Sequence, residues 1–140
     1  MIVNEVELNP LRLLFNVGGI LNMRITYVED NVANIALLER ICQMGKDDLV
    51  TFLDADTALA EISAGTSDLI IIDLHLGAST TDGLQLTRAL RENGITEPIV
   101  AITSYDHLFR DQYLEAGCDE YIRKPISIET FLATIDRYRL

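Results

Sequence analysis

Residues 68–74 have the sequence DLIIIDL, in which four consecutive apolar residues end at the carboxylate of Asp73. Apolar runs of this kind, rich in β-branched side chains, are typical of a central strand buried on both faces of a parallel sheet. A carboxylate in this position is too costly to bury alone, so it needs a partner or a place at the strand's carboxyl end, facing a cleft. The stretch therefore predicts an α/β fold whose functional residues follow its strands.

Strand-like and helix-like patterns alternate five times from Met23 onward. The predicted strands are residues 24–28, 49–53, 69–73, 99–103 and 120–124. The predicted helices are residues 31–44, 57–64, 82–93, 108–116 and 127–139. Parallel strands need helical crossovers of one hand, so this alternation predicts a doubly wound five-stranded parallel sheet with helices on both faces, the flavodoxin-like architecture.

Capping residues set the expected ends of these helices. The expected N-caps are Asp56, Asp82 and Ser127. The glycines expected to follow helix C-termini are Gly45, Gly65, Gly94 and Gly117.

Polar side chains follow the predicted strands. Glu29 and Asp30 follow the first strand, Asp73 ends the third, Thr103 ends the fourth and Lys124 ends the fifth. Because the carboxyl ends of parallel strands meet at one edge of the sheet, we expect these side chains to converge there. Three carboxylates, a hydroxyl and an ammonium group suit a site for a hard cation and a phosphoryl group.

Composition limits the classes of function. A chain of 140 residues with a net charge of −11 suits one domain and argues against direct binding to nucleic acid or to an anionic membrane surface. Cys42 and Cys118 lie far apart without a CxxC motif, which argues against a disulfide or zinc site and favours buried thiols in a reducing cytoplasm. The apolar stretch 11–21 is too short to span a bilayer, so we expect a cytoplasmic protein.

Residues 1–22 do not join the alternation and are treated as an N-terminal extension of the domain at 23–140. They could form a short helix over residues 9–15, an interaction arm or a tail. Met23 directly precedes the first strand and could also be a natural start point.

The chain from Met23 to Leu140 resembles the receiver domain of two-component response regulators. The resemblance rests on matching residues in the family's order: the pair Glu29-Asp30, then Asp73, Thr103, Tyr121 and Lys124-Pro125. Each position is weak evidence alone, because acidic pairs after strands are usually solvated turns or helix caps. Their order along a fivefold alternation carries the assignment.

The resemblance implies a role for each polar residue at the site. Asp73 would accept a phosphoryl group from a histidine kinase or phosphotransfer protein. Mg²⁺, or Mn²⁺ in its place, would be held by Asp30 and Asp73, by Glu29 through water, and by the backbone carbonyl of His75. Lys124 would contact the phosphoryl group.

The resemblance also implies a switch. Thr103 would move to the phosphoryl group, and Tyr121 would follow into the vacated space and change the surface for a downstream protein. The peptide bond before Pro125 is expected to be cis. His75 and Tyr105 flank the site at positions that help to set the dephosphorylation rate, although both could be plain loop residues.

The loop HLGASTTDG at residues 75–83 departs from the family. It is slightly longer than usual, is rich in hydroxyl side chains, and carries Gly77 where proline is common. We expect it to alter partner selection or access of the phosphodonor.

The chain ends at Leu140, soon after the last predicted helix, which is typical of a stand-alone receiver. We expect a monomer or weak homodimer that acts on another protein and catalyses only its own phosphorylation and dephosphorylation. One alternative is a pseudo-receiver that binds partners without phosphorylation. Another is a Mg²⁺-dependent phosphohydrolase of the haloacid dehalogenase type, but that family has a second Asp where this chain has His75.

Overall fold

A computed structural model describes residues 22–76, 82–104 and 110–139. Strands and helices alternate along the described chain. They are β1 (Arg24–Val28), α1 (Val32–Gly45), β2 (Asp48–Phe52), α2 (Ala55–Glu61), β3 (Leu69–Asp73), α3 (Gly83–Glu92), β4 (Ile99–Thr103), α4 (Arg110–Ala116), β5 (Glu120–Arg123) and α5 (Ile128–Tyr138).

The five strands form one parallel sheet in the order β2-β1-β3-β4-β5. The strand order reverses beside β1, where the chain crosses from β2 over to β3, so the crevice between the carboxyl ends of β1 and β3 is the topological switch point. The predicted doubly wound parallel sheet is confirmed.

The central strand β3 explains the uninterrupted apolar run. All five of its residues are buried, and its side chains alternate between two core layers. Ile70 and Ile72 pack in the layer that contains residues of α2, α3 and α4. Leu69 and Ile71 pack in the layer that contains residues of α1 and α5. Because both faces are covered, every position before Asp73 must be apolar.

Side-chain caps begin the helices next to the functional edge. At α3, Asp82 accepts a hydrogen bond from the backbone N–H of Gln85, and the Gln85 side chain accepts one from Asp82 N, which completes a capping box. At α5, Ser127 Oγ accepts from the backbone N–H of Thr130. The predicted N-caps Asp82 and Ser127 are thus confirmed.

The predicted N-cap Asp56 is wrong. Asp54 caps α2 instead, with an extended backbone and its carboxylate accepting from the N–H of Thr57 at 2.7 Å. Asp56 lies inside the first turn, where a negative charge is still favourable. The helix also ends earlier than predicted, at Glu61, because Ile62 turns to an extended backbone and packs against the core.

Gly45 is the last residue of α1 rather than its left-handed cap. Lys46 takes the left-handed conformation, with φ 58°, and its N–H donates to the carbonyls of Cys42 and Gln43. A Cβ on Gly45 would lie 3.0 Å from Asp47 Oδ2, so the glycine leaves room for that carboxylate. The positive φ values of Gly65, Gly94 and Gly117 agree with their predicted places after helices.

Smaller differences concern strand ends and coverage. Strand β2 begins and ends one residue earlier than predicted, and β5 stops at Arg123, before Lys124. The predicted extension 1–22 lies outside the described residues except for its last residue, as does the start of the helix predicted at 108–116. Cys42 and Cys118 are buried and unpaired by any disulfide, as expected, and burial raises the pKa of both thiols. No helix in the described ranges has the length and apolar character needed to cross a bilayer.

Candidate functional site

Three carboxylates meet where β1 and β3 end. Glu29 and Asp30 directly follow β1, and Asp73 is the last residue of β3. One carboxylate oxygen of each lies within 4.8 Å of those of the other two. Glu29 and Asp73 are buried, at 0% and 1% exposure. The three acids therefore lie close together at one edge of the sheet, as predicted.

Asp73 is held by one donor on each oxygen. The backbone N–H of His75 donates to Oδ1 at 2.9 Å, and the Lys124 ammonium donates to Oδ2 at 2.8 Å. Lys124 reaches β3 from beyond the end of β5, across the end of β4. This ion pair supplies the partner that a carboxylate at the end of a fully apolar strand requires.

Glu29 has donors on both of its oxygens. Tyr27 Oη and Asn34 Nδ2 donate to Oε1 at 3.0 and 2.9 Å, and the backbone N–H of Asp30 donates to Oε2 at 3.1 Å. Burial, followed by the neighbouring Asp73 carboxylate, raises the pKa of Glu29 to about 7, against the lowering effect of Asn34 and Tyr27. Burial and the neighbouring carboxylate thus both disfavour the ionised form of Glu29.

The donor set fits a hard divalent cation. Carboxylate oxygens are the ligands that Mg²⁺ and Mn²⁺ prefer, and the three acids offer one oxygen each within a span that a single ion can bridge. A cation there would favour the ionised form of Glu29, against the burial and the neighbouring Asp73 carboxylate that raise its pKa. Among the described residues, the cluster consists of carboxylates alone, without a thiol or an imidazole, and this composition disfavours zinc.

The ends of β4 and β5 meet beside the acidic cluster. Thr103 ends β4 and is fully buried, and its carbonyl accepts a hydrogen bond from Lys124 N at 2.7 Å. The peptide bond between Lys124 and Pro125 is cis, as the family resemblance implied. The hydroxyl-bearing residue and the lysine are therefore brought to the same edge as the acids.

Tyr121 lies on β5, away from the cluster. Its side chain is 39% exposed, and its ring stacks on the buried ring of Tyr113 in α4, with centroids 4.4 Å apart and planes 15° from parallel. In this structure, Tyr121 therefore points outward at the surface formed by α4, β5 and α5.

The two residues expected to modulate the rate have different outcomes. The side chain of His75 is exposed beside Asp73, so it stays a candidate. Tyr105 and the middle of the longer loop, residues 77–81, lie outside the described residues.

Sequence reasoning missed three residues that shape the site. Tyr27 resembled an ordinary aromatic strand residue, and Asn34 resembled an ordinary helix surface residue, yet both donate to Glu29. Gly83 begins α3 so close to β3 that a Cβ there would lie 2.6 Å from Leu74 Cα and 2.7 Å from the Asp73 carbonyl oxygen. The glycine directly after the capping residue Asp82 was the available signal for this close approach.

Comparisons with known proteins agree with the fold and the site. A family model described as the response regulator receiver domain matches residues 25–136. The alkaline phosphatase synthesis transcriptional regulatory protein PhoP of Bacillus subtilis (strain 168) is 31% identical over 108 residues, which cover 76% of this chain and 44% of PhoP. The chain spans about half the length, or less, of PhoP and of two further curated relatives that it matches.

Solved structures show the same architecture. The receiver domain of sensor histidine kinase PA1611 from Pseudomonas aeruginosa PAO1, with magnesium coordinated in its active site cleft, is 28% identical with a TM-score of 0.70, covering 84% of this chain and 97% of that one. A second similar structure is the co-crystal structure of the histidine phosphotransfer protein Ypd1 and the receiver domain of Ssk1, from Saccharomyces cerevisiae. The match has a TM-score of 0.75 at 22% identity and covers 84% of this chain and 89% of that one. Because the family model matches most of its length, this chain belongs to the response regulator receiver domain family of two-component signalling.

Proposed function

We propose that this receiver domain takes a phosphoryl group on Asp73 with the help of a divalent cation and thereby changes its contacts with other proteins. The observation that carries the proposal is the environment of Asp73. It is a buried carboxylate at the carboxyl end of the central strand, with the Lys124 ammonium 2.8 Å away and the carboxylates of Glu29 and Asp30 in the same cluster.

The proposed chemistry is the transfer of a phosphoryl group from the nitrogen of a phosphohistidine to the Asp73 carboxylate. An Asp73 carboxylate oxygen attacks phosphorus, a new O–P bond forms as an acyl phosphate, and the bond from phosphorus to the donor nitrogen of a phosphohistidine breaks. The proton that the leaving imidazole nitrogen needs comes from solvent. Asp30, Asp73 and the His75 carbonyl would hold Mg²⁺ or Mn²⁺, with Glu29 acting through water. A bound cation would supply charge neutralisation at the phosphoryl oxygens.

The proposed switch begins at Lys124. Its ammonium now pairs with the Asp73 oxygen that faces it. Once Asp73 carries a phosphoryl group, negative charge moves outward, and the flexible lysine side chain follows it as a compact point charge. Thr103, which neighbours Lys124 through its backbone, would turn its hydroxyl to the phosphoryl group, and Tyr121 would leave its exposed position.

The proposed partners follow from the relatives. The Ssk1 receiver domain was solved with a histidine phosphotransfer protein, so we propose that a histidine kinase or a phosphotransfer protein donates to this chain. PhoP is a transcriptional regulator, but this chain spans less than half of it. With a net charge of −11, the chain is better suited to act through another protein than through DNA.

Label mapping tests the proposed acceptor. The full chain is incubated with Mg²⁺ and phosphoramidate, whose P–N bond resembles that of phosphohistidine, and the acid-labile, hydroxylamine-sensitive site is mapped by mass spectrometry. We expect label on Asp73 alone and none in Asp73→Asn. The matched control Asp48→Asn removes an exposed carboxylate at the opposite edge of the sheet and should label normally. Label retained in Asp73→Asn would refute the acceptor, and a chain that binds Mg²⁺ without labelling would favour the adaptor alternative.

A further inference from the structure

Tyr27 places a phenol hydroxyl deep inside the domain. It lies on β1 with 1% of its surface exposed. A buried tyrosine hydroxyl needs a hydrogen-bond partner, and this one donates to Glu29 Oε1 at 3.0 Å. The Tyr27 hydroxyl therefore forms its hydrogen bond with a member of the acidic cluster.

A second side chain shares the same oxygen. Asn34, in the first turn of α1, donates from Nδ2 to Glu29 Oε1 at 2.9 Å. The other oxygen, Oε2, accepts from the backbone N–H groups of Asp30 at 3.1 Å and Asn31 at 3.4 Å. With donors on both oxygens, the orientation of the carboxylate is fixed relative to Asp30 and Asp73.

Tyr27 is packed in the core layer of α1 and α5 and also borders a cavity. Tyr27 meets Phe131 of α5 only edge-on, with ring centroids 6.2 Å apart and planes at 81°. Tyr27 and Asn34 also border a cavity of about 380 Å³ whose other lining residues are Lys124, Pro125, Ile126 and Phe131. Because the two side chains donate to the same carboxylate oxygen, their hydrogen bonds contribute directly to where the Glu29 carboxylate lies.

We infer that Tyr27 and Asn34 are positioning residues for the cation: they hold Glu29 in the orientation in which it joins Asp30 and Asp73 around a divalent ion. The inference rests on the proposed function, because it takes the acidic cluster to be the metal site. Neither residue touches the phosphoryl group or the cation; each acts through Glu29.

The expected size of the effect follows from partners of this kind in other metal sites. Removing a group that orients a ligand commonly weakens metal affinity by about 10- to 100-fold. Tyr27 and Asn34 share one oxygen, so loss of either leaves the other in place. We therefore expect a value near the lower end, about 10-fold for each.

Calorimetric titration of MgCl₂ into the full chain, without any phosphodonor, tests the inference. Tyr27→Phe removes only the hydroxyl and keeps the ring beside Phe131, and Asn34→Ala removes the second donor from a half-buried helix position. The matched control is Tyr138→Phe, whose hydroxyl donates to Glu120 Oε1 at 2.6 Å at the opposite end of the sheet. We expect about 10-fold weaker binding in the first two variants and an unchanged dissociation constant in the control.

A double-variant cycle distinguishes positioning from a general structural effect. In a Glu29→Ala background, Tyr27→Phe should cause no further loss of Mg²⁺ affinity, because the carboxylate through which it acts is gone. An equal loss with and without Glu29 would overturn the inference.

The outcomes separate the two proposals. If the wild-type chain binds no Mg²⁺, the metal site itself is refuted and the inference with it. If wild type binds but Tyr27→Phe and Asn34→Ala bind equally well, only the inference is overturned. Melting curves without cation check folding, and if Tyr27→Phe does not fold, unchanged affinity in Asn34→Ala alone overturns the inference.

Discussion

The protonation state of Glu29 depends on opposing effects within its site. Its donors favour the charged form, but burial and the neighbouring Asp73 outweigh them and raise its pKa to about 7. At neutral pH, the cluster without a cation is therefore poised between protonated and ionised forms of one acid. Binding of a divalent ion would compete directly with that proton.

This balance predicts a pH dependence of stability in the absence of metal. Native Glu29 keeps its proton up to about pH 7, whereas the unfolded chain releases it near 4.5, so its contribution is present below pH 4.5 and is lost as pH rises to about 7. The free energy of unfolding of wild type relative to Glu29→Gln should fall by up to about 3 kcal/mol across that range in EDTA. Urea unfolding at stepwise pH measures it, and parallel curves for the two proteins would contradict the assignment.

Residues of the site differ in how readily sequence reveals them. The acids and Lys124 could be predicted because they follow strand ends, and parallel strand ends must meet at one edge. Tyr27 and Asn34 could not, because a hydrogen bond between side chains depends on tertiary distances that no spacing rule fixes. A tyrosine in a buried strand predicts only that its hydroxyl finds some partner.

At the scale of elements, the start of α3 is fitted tightly to the end of β3. A methyl group on Gly83 would lie 2.6 Å from Leu74 Cα and 2.7 Å from the Asp73 carbonyl oxygen. Helix propensity alone would make Gly83→Ala stabilising by up to about 1 kcal/mol. We expect the opposite, a loss of about 1–3 kcal/mol with slower phosphorylation, because the end of β3 must shift. Denaturant unfolding gives the sign, and a more stable variant would show that the contact is easily relieved.

Between α4 and β5, the ring of Tyr113 stacks on that of Tyr121, but its hydroxyl is not hydrogen-bonded to any described residue. Tyr113 Oη is buried and has no hydrogen-bond partner within the described chain. Tyr113→Phe should therefore raise the free energy of unfolding by about 1 kcal/mol, whereas Tyr138→Phe, which loses a bond to Glu120, should lower it by about 1 kcal/mol. Thermal melts of both variants compare the signs, and equal destabilisation would mean that Tyr113 Oη has a partner after all.

Element existence was easier to predict than element ends. The five strands were predictable from their apolar, β-branched and aromatic residues, and β1, β3 and β4 matched at both ends. The start of α2 was not, since both Asp54 and Asp56 are good caps and only the backbone conformation of Asp54 decides between them. The left-handed cap of α1 fell on Lys46 because Gly45 is needed for the room it leaves to Asp47.

Across the whole molecule, the end of the described chain is tied to its beginning. Arg139 donates from both terminal nitrogens to Asp47, whose side chain is only 2% exposed, and Asp47 Oδ1 also accepts from Met23 N at 2.9 Å. This link joins α5, the α1–β2 turn and the start of β1. Sequence alone did not suggest it, because the partners lie far apart and belong to no motif.

The link predicts an unequal effect of removing two neighbouring arginines. Arg139→Met should lower the free energy of unfolding by about 3 kcal/mol, because it leaves a buried carboxylate without its charge partner. Arg137→Met removes an exposed pair with Glu120 and should cost less than about 1 kcal/mol. Guanidinium unfolding monitored by circular dichroism measures both, and equal losses would contradict a special role for the Asp47 link.

The central claim is that the acidic edge of the sheet is a cation-dependent phosphoacceptor site. Intact-mass spectrometry after incubation with acetyl phosphate tests it most directly, in Mg²⁺ or in EDTA, on wild type, Asp73→Asn and Asp30→Ala. We expect one added phosphoryl group in wild type with Mg²⁺, none in EDTA, none in Asp73→Asn, and strongly reduced labelling in Asp30→Ala. Equal phosphorylation of wild type with and without the cation, or of the Asp73→Asn variant, would contradict it.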